Sequence, residues 1–246
     1  MDRRARVYVA WRGRDDDLRG SSRRLAAFVA SLGAVHPPLL GLRYVGPGGK
    51  EETAAGVEGC QSALEAHRVP WATGPTKRVA YQPRLFLERR AAPPVEVLIT
   101  CGIERLDLGP IYTPNRLDLR VRLDAGEELT SPAALEAAMR AAIDAFEPDW
   151  GFAGVEGCPN PPVAVFSDGV PAVGWMTFLS SGYPPIPAAL PRPAVAHVIA
   201  RRGTLVVAHP DRFDERDAAL LAAMEQVRAA LEAAGVLVPA SALSQS

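Results

Sequence analysis

The sequence has few of the features that mark secreted, membrane or nucleic-acid-binding proteins. It has 3 cysteines in 246 residues, an odd number at wide spacing, which argues against a disulfide scaffold and favours reduced thiols. No apolar run approaches the ~20 residues that span a bilayer, and the N-terminus lacks the pattern of a secretory signal. The 27 basic and 28 acidic residues give a formal charge of −1, which is not typical of a protein that coats nucleic acid or an anionic membrane. We therefore predict a soluble, cytoplasmic protein.

Residues that could carry out catalysis or bind a metal do not cluster along the sequence. The histidines are scattered and no CxxC or HxxxH pair is present, so we predict neither a metal site nor a bound cofactor. The Gly-rich stretch 46–50 lacks the spacing of a phosphate-binding loop, and no GxSxG nucleophile elbow occurs. Cys158 has no recognisable partner histidine, and the paired carboxylates lie in polar loops that favour solvation. The residues alone therefore give no catalytic site.

Charge is distributed unevenly along the chain. Residues 1–50 hold 10 basic and 4 acidic side chains, a balance of +6. Residues 101–150 hold 5 basic and 10 acidic side chains, a balance of −5. Within this acidic quarter, the polar loop from Asp124 to Glu128 is suited to meet a basic patch on a partner protein.

Hydrophobic periodicity predicts a mixture of strands and helices. Period-two patterns and short apolar runs predict strands at 6–11, 39–45, 79–88, 95–101, 116–123, 150–155, 163–166, 173–179 and 204–208. The strand at 116–123 is the clearest, because leucine and valine alternate strictly with arginine and aspartate. Helical spacing predicts a helix that buries Leu25 and Phe28, a second over 53–67, a third begun by Ser131 and a last one capped by Asp214.

The order of these elements favours an α+β fold. The middle of the chain is predicted to run strand, strand, strand, helix, without strict βαβ alternation, so we expect a mixed, mainly antiparallel sheet with helices packed on it. We expect one domain over residues 1–246, with a Pro-rich arm at 182–193 that contains five prolines. The tryptophans at positions 11, 150 and 175 lie in or beside strands, which favours a role in the core.

Several local patterns, taken in order, resemble one known family. They are Tyr8-Val9-Ala10-Trp11-Arg12-Gly13-Arg14, Leu98-Ile99-Thr100-Cys101-Gly102, Glu147-Pro148-Asp149-Trp150-Gly151, Val173-Gly174-Trp175-Met176-Thr177-Phe178-Leu179-Ser180, Gly203-Thr204-Leu205-Val206-Val207 and Arg212-Phe213-Asp214. Together they resemble the immunity protein 52 family of bacterial polymorphic toxin systems, from about residue 6 to residue 238. The segments at 147–151 and 173–180 are its most specific parts.

That resemblance implies an α+β protein that is not an enzyme. Proteins of this family are encoded beside a secreted toxin and bind it to protect the producing cell, and their toxins carry a restriction-endonuclease-like nuclease domain. We therefore expect an immunity protein that neutralises its cognate toxin by occluding the active site or blocking substrate access. Because a nuclease holds a polyanion in a basic cleft, carboxylates are the expected contact residues. The predicted interface residues are Glu104, Asp107, Asp124, Glu127 and Glu128.

The expected complex is a one-to-one heterodimer of nanomolar or tighter affinity that buries roughly 1,600 Å² or more. We expect no direct contact with nucleic acid or with a membrane. Two other interpretations remain open at this stage. A small hydrolase or transferase with a site built from distant residues would show a deep pocket with convergent polar groups. A homo-oligomeric structural or scaffold protein would show a large, apolar, self-complementary patch.

Overall fold

The computed structural model of the protein describes residues 3–12, 16–71, 78–88, 93–102, 115–155, 170–210 and 216–243. Within these ranges the helices are α1 (Leu18–Val35), α2 (Gly56–Ala66), α3 (Glu127–Thr130), α4 (Pro132–Phe146) and α5 (Ala218–Ala233). The strands are β1 (Arg4–Trp11), β2 (Arg43–Val45), β3 (Glu51–Thr53), β4 (Arg68–Trp71), β5 (Arg78–Tyr81), β6 (Arg84–Phe86), β7 (Val95–Thr100), β8 (Asn115–Arg122), β9 (Trp150–Val155), β10 (Met176–Ser180), β11 (Val195–Ile199) and β12 (Gly203–Val207).

Ten of these strands form one antiparallel sheet. Their order is β11-β12-β10-β9-β1-β8-β7-β6-β2-β3, while β4 and β5 pair with each other in a separate hairpin. Strand β1 lies inside the sheet, and its whole length pairs with β8, from Arg4 opposite Arg122 to Trp11 opposite Asn115. On its other side β1 pairs with β9, with Tyr8 opposite Phe152. The prediction of an α+β fold with a mainly antiparallel sheet is confirmed.

The alternation of β1 assigns its side chains to two faces of the sheet. Val7, Val9 and Trp11 face α1 and α4, and the Trp11 ring stacks on Phe146 of α4 with 4.9 Å between ring centroids. Phe28 of α1 contacts Phe146 as well, at 5.8 Å, so the two helices share one aromatic contact over the sheet. The side chains of Arg4, Arg6 and Tyr8 lie on the opposite face of the sheet.

Local sequence accounts for the boundaries of α4. The Ser131 hydroxyl accepts a hydrogen bond from the backbone N–H of Ala134 at 3.3 Å, and Pro132 occupies the first turn, where its missing N–H has no cost. The helix ends at Glu147, which adopts the left-handed conformation with φ 44°. This helix matches the prediction from Ser131, Pro132 and the spacing of the apolar residues.

Several boundaries differ from the predictions. The segment predicted as a strand at 39–45 overlaps a 3-10 helix at Pro37–Gly41, because two consecutive prolines favour a tight turn, and the strand is limited to β2. The last helix begins at Ala218, where the Asp217 carboxylate accepts the N–H groups of Ala219 and Leu220, so the prediction of an Asp214 cap was wrong. The strand predicted at 163–166 lies outside the described residues.

Strand β11 was not among the predicted strands. It follows the Pro-rich arm at 182–193, which connects β10 to β11 without a helix or strand of its own. Within this arm Tyr183 is buried, and Ile186 and Leu190 pack against the core. The arm therefore lies along the body of the protein. That residues 1–246 form one domain stays a prediction. As to membranes, the helices among the described residues are too short or too polar to cross one.

Candidate functional site

Three of the five predicted interface carboxylates lie together at the turn between β8 and α4. Asp124 follows β8, while Glu127 and Glu128 form the exposed first turn of the short helix α3. We call Asp124, Glu127 and Glu128 the acidic turn. Negative charge is favoured at this position, because the first backbone N–H groups of a helix carry partial positive charge. Glu104 and Asp107 lie outside the described residues, so their place relative to the acidic turn stays a prediction.

Within the acidic turn, Asp124 differs from the two glutamates because it is paired. The Arg122 guanidinium donates two hydrogen bonds to the Asp124 carboxylate, and the Nε–Oδ1 distance is 2.8 Å. These hydrogen bonds lower the pKa of Asp124 below its usual range. Arg122 thus balances the charge of Asp124, and the net negative charge of the turn comes from Glu127 and Glu128.

A second charged surface lies on the face of the sheet opposite α1 and α4. We call it the arginine face, and its members are Arg4, Arg6, Arg84, Arg116, Arg120 and Arg122. The strand register places them on one side of the sheet, since Arg4 lies opposite Arg122 and Arg6 lies opposite Arg120. Arg84 is on the same side because it lies opposite Leu98 of β7, which in turn lies opposite Asp118 of β8. Sequence reasoning placed the arginines of β8 on one strand face but gave no reason to expect those of β1 and β6 beside them.

Two buried carboxylates organise the arginine face. Asp118 accepts two hydrogen bonds from Arg6, at 2.7 and 2.8 Å, and two more from Arg120, at 3.1 and 2.9 Å. Glu96 is paired with Arg4, at 2.9 Å, and with Arg84, one contact to each of its two carboxylate oxygens. Each carboxylate is therefore shared by two guanidinium groups, which leaves an excess of positive charge and fixes the arginine side chains in place.

Aromatic rings support this face from below. The Arg6 guanidinium lies 5.1 Å from the Tyr8 ring centroid, and the Tyr8 ring is 5.5 Å from the rings of both Trp150 and Phe152. Burial raises the pKa of Tyr8 to about 12, so its phenol stays neutral at physiological pH. The ring is thus a fixed platform for Arg6 and takes no part in acid–base chemistry there.

The segment Glu147-Pro148-Asp149-Trp150-Gly151 forms a structural junction. Glu147 pairs with Arg24 at 3.4 Å and with Arg202, and Asp149 pairs with Arg12 at 3.2 Å. Trp150 is fully buried, as predicted for a core residue, and the same is true of Trp11 and Trp175. The Trp175 indole N–H donates to the His209 carbonyl at 2.8 Å, which satisfies its polar atom inside the core.

The two cysteine thiols of the described residues are buried. Burial raises the pKa values of the Cys60 and Cys101 thiols to about 12, so both are protonated and poorly nucleophilic. A small surface dent beside Cys101 contains Asp16 and Arg24, and these two side chains pair with each other at 3.0 Å. No three His, Cys, Asp or Glu side chains of the described ranges lie close enough to hold a metal ion.

Comparison with models of known protein families shows which class this protein belongs to. The model of the family described as "Immunity protein 52" matches residues 89–240, which is 152 of the 246 residues of the chain. The protein is thus of the immunity class, which is non-enzymatic, and the alternative of a small hydrolase or transferase is set aside. The chain belongs to the immunity protein 52 family. The family prediction is confirmed, and the match includes the acidic turn, the 147–151 junction and the 173–180 segment.

A solved structure shares the fold. The Pseudomonas aeruginosa T6SS protein PA0821 superposes with a TM-score of 0.54 at 13% sequence identity, over 92% of this chain and 76% of that chain. At this identity the likeness concerns the fold alone. Among proteins with curated descriptions, none matches the sequence.

Proposed function

We propose that this immunity protein binds and neutralises a toxin encoded beside it, that the toxin carries a nuclease domain, and that the two proteins form a one-to-one complex. The observation that carries the proposal is the acidic turn, where Glu127 and Glu128 are exposed while Asp124 is balanced by Arg122. A nuclease draws a polyanion into a basic cleft. Carboxylates held at fixed positions are complementary to such a cleft and compete with the substrate for it.

The backbone around the acidic turn supports this role because it is held in place. Leu129, the next residue after Glu128, is buried and anchors α3 to the core. The Thr130 hydroxyl donates to the Gly126 carbonyl at 3.0 Å, and the Ser131 N–H donates to the Glu127 carbonyl at 2.8 Å. A turn that is already ordered loses little conformational entropy when a partner binds, so more of the contact energy remains as affinity.

A nuclease toxin attacks nucleic acid inside the cell, so the proposal requires this protein to act in the cytoplasm. Glu104 and Asp107 remain proposed contact residues along with the acidic turn.

Coexpression with the adjacent toxin gene tests the proposal. We expect the wild-type chain to copurify with the toxin in a one-to-one ratio, to restore growth and to suppress nuclease activity on purified DNA and RNA. The double charge reversal Glu127→Lys with Glu128→Lys should weaken binding by about 100-fold, since reversal replaces attraction with repulsion at two positions. Glu58→Lys, which reverses an exposed carboxylate in the first turn of α2, is the matched control and should bind as the wild type does.

The outcomes separate the parts of the proposal. Absence of binding and of growth rescue for the wild type would remove the toxin assignment. Rescue of growth with a toxin that cleaves neither DNA nor RNA would keep the immunity function and remove the nuclease. Binding that is unaffected by the double reversal, with the variant folded as judged by circular dichroism, would remove the acidic turn from the interface.

A further inference from the structure

The two edges of the ten-stranded sheet are built differently. Edge strand β3 has three residues and carries Glu51, which pairs with Arg43 at 2.9 Å, and Glu52, which accepts a hydrogen bond from the Tyr44 hydroxyl. Short length and charged side chains are the usual means by which a sheet edge is protected from pairing with another chain. The β3 edge therefore has this protection.

Edge strand β11, at the other edge of the sheet, lacks the charged side chains that protect β3. Its five residues, Val195-Ala196-His197-Val198-Ile199, include no Lys, Arg, Asp or Glu, and among the strands that the structure describes β11 pairs with β12 alone. Val198 is 82% exposed and Val195 is 37% exposed, although both are large apolar side chains. An exposed edge without charged side chains in a native protein is typical of a site where another strand is added.

The hydrogen bonds of β12 show which backbone groups of β11 point outward. The Ala208 N–H donates to the carbonyl of Trp175, just before β10, at 2.8 Å. Because backbone groups alternate in direction along an antiparallel strand, the N–H and C=O groups of Val206 also point toward β10. Leu205 and Val207 then point toward β11, where they lie opposite His197 and Val195. The backbone N–H and C=O groups of Ala196 and Val198 are consequently directed away from β12, toward the open side of the edge.

The charges that flank β11 select the partner strand. Arg192 precedes the strand and Arg201 follows it, and both are exposed. If a second copy of this chain paired with β11 antiparallel through all five residues, the Arg192 end of each strand would meet the β11–β12 turn of the other copy, which carries the exposed Arg201. Like charges placed opposite each other are destabilising. A strand with apolar residues in its centre and carboxylates at its ends fits this edge better than a second copy does.

We propose that β11 receives an extended segment of the toxin as an eleventh strand, with apolar residues opposite Ala196 and Val198 and Asp or Glu residues near Arg192 and Arg201. The proposal rests on the proposed function, and it adds a second contact to the acidic turn. The register of the sheet aligns Val195 with Leu119, so the start of β11 lies toward the end of β8 that leads into the acidic turn. Five strand spacings of ~4.8 Å separate β8 from β11, roughly 24 Å, a distance that one toxin domain spans.

A proline substitution tests the backbone contact directly. Val198→Pro removes an N–H that points outward and leaves the N–H groups that bond β12. The variant should therefore fold, because proline is tolerated at edge-strand positions whose N–H faces away from the sheet. We expect it to weaken toxin binding about 10-fold or more, since two main-chain hydrogen bonds at this position are lost or distorted. Val198→Thr keeps the N–H and the branched shape and is the matched control, with binding within about 3-fold of wild type.

Charge reversal gives a second test that leaves β11 itself unchanged. Arg192→Glu combined with Arg201→Glu should weaken binding of the purified toxin about 10-fold, with a larger loss at low salt. Titration calorimetry gives the affinities, circular dichroism and thermal unfolding report folding, and light scattering gives the oligomeric state of the free protein.

The results separate this inference from the proposed function. A folded Val198→Pro variant that binds toxin as the wild type does would overturn the inference, even if the Glu127→Lys, Glu128→Lys variant loses binding and so supports the function. A wild-type dimer that Val198→Pro converts to a monomer, with toxin affinity unchanged, would identify a second copy as the occupant and also overturn it. A wild type that does not bind the toxin would remove the proposed function and this inference together.

Discussion

Asp149 accepts a hydrogen bond from the backbone N–H of Arg12 at 2.6 Å, and the Arg12 guanidinium returns to the same carboxylate at 3.2 Å. Arg12 also donates from Nη1 to the Leu243 carbonyl at 3.0 Å. The Asp149–Arg12 pair therefore joins the end of β1, the start of β9 and the C-terminal segment, three parts of the chain that are far apart in sequence. The pairing with Arg12 allows the charged Asp149 to be buried in the 147–151 junction, next to Trp150.

Replacement of Asp149 should destabilise the protein strongly. In Asp149→Ala the N–H and guanidinium of Arg12 lose their partner in a site that is largely buried, and we expect a loss of about 3 kcal/mol in the free energy of unfolding. Urea denaturation followed by tryptophan fluorescence measures it. Asp144→Ala, on the exposed side of α4, is the control and should leave the midpoint almost unchanged. Equal stability of the two variants would contradict the role of Asp149.

A pair of glycines on β9 gives a sharper test of packing. A Cβ at Gly151 would lie 2.7 Å from the Tyr8 carbonyl oxygen and 2.7 Å from Cγ1 of Val9, so the neighbouring strand would have to move. Gly151→Ala should therefore cost about 2 kcal/mol of stability. At Gly154, on the same strand, an added Cβ meets nothing within 4 Å, so Gly154→Ala should be neutral or slightly stabilising. A neutral Gly151→Ala would show that β1 and β9 are less tightly apposed than described.

The sequence predicted those elements whose signal is local. Leu117, Leu119 and Val121 alternate against the core, and Ser131 with Pro132 marks a helix start, so β8 and α4 were correctly predicted. Strand β11 was missed because it is exposed on both faces, and an exposed edge strand has no alternation of apolar and polar residues to reveal it.

The two charged surfaces also differ in whether local sequence reveals them. The acidic turn was found because its carboxylates are neighbours in the sequence. The arginine face was not found, because Arg4 meets Glu96 across 92 positions and Arg6 meets Asp118 across 112. Strand register decides such contacts, and register depends on the pairing of whole strands rather than on the spacing of residues within one.

The arginine face should depend on its central carboxylate. Asp118→Ala would leave Arg6 and Arg120 without the group that holds them and place like charges side by side, at a side chain that is only 6% exposed. We expect a loss of about 3 kcal/mol, with part of the stability recovered in high salt because salt screens the repulsion. The control is Asp124→Ala, which removes an exposed carboxylate just beyond the end of β8 and should leave the urea midpoint nearly unchanged. Salt-independent loss in Asp118→Ala would show that packing, and not charge, dominates the site.

Alkaline pH should destabilise the protein through its buried thiols and phenols. Burial raises the pKa of Cys60 to about 12, whereas an unfolded thiol has a pKa of about 8.5. The folded state therefore holds its proton more tightly, and the resulting stability is fully present below pH ~8.5 and is lost progressively as pH rises toward 12. The pKa values of Tyr8 and Tyr44 are also raised to about 12, so they add to the loss above pH ~10.

Cys60→Ala isolates the thiol contribution. The side chain is small and fully buried, and its thiol donates a weak hydrogen bond to the Ala54 carbonyl at 3.4 Å, so the variant should be somewhat less stable at pH 8. Between pH 8.5 and 10, however, its stability should fall less steeply than that of the wild type, because one titrating group has been removed. Urea midpoints measured across this interval compare the two slopes. Identical slopes would mean that Cys60 reaches solvent in the folded protein and ionises there as readily as in the unfolded chain.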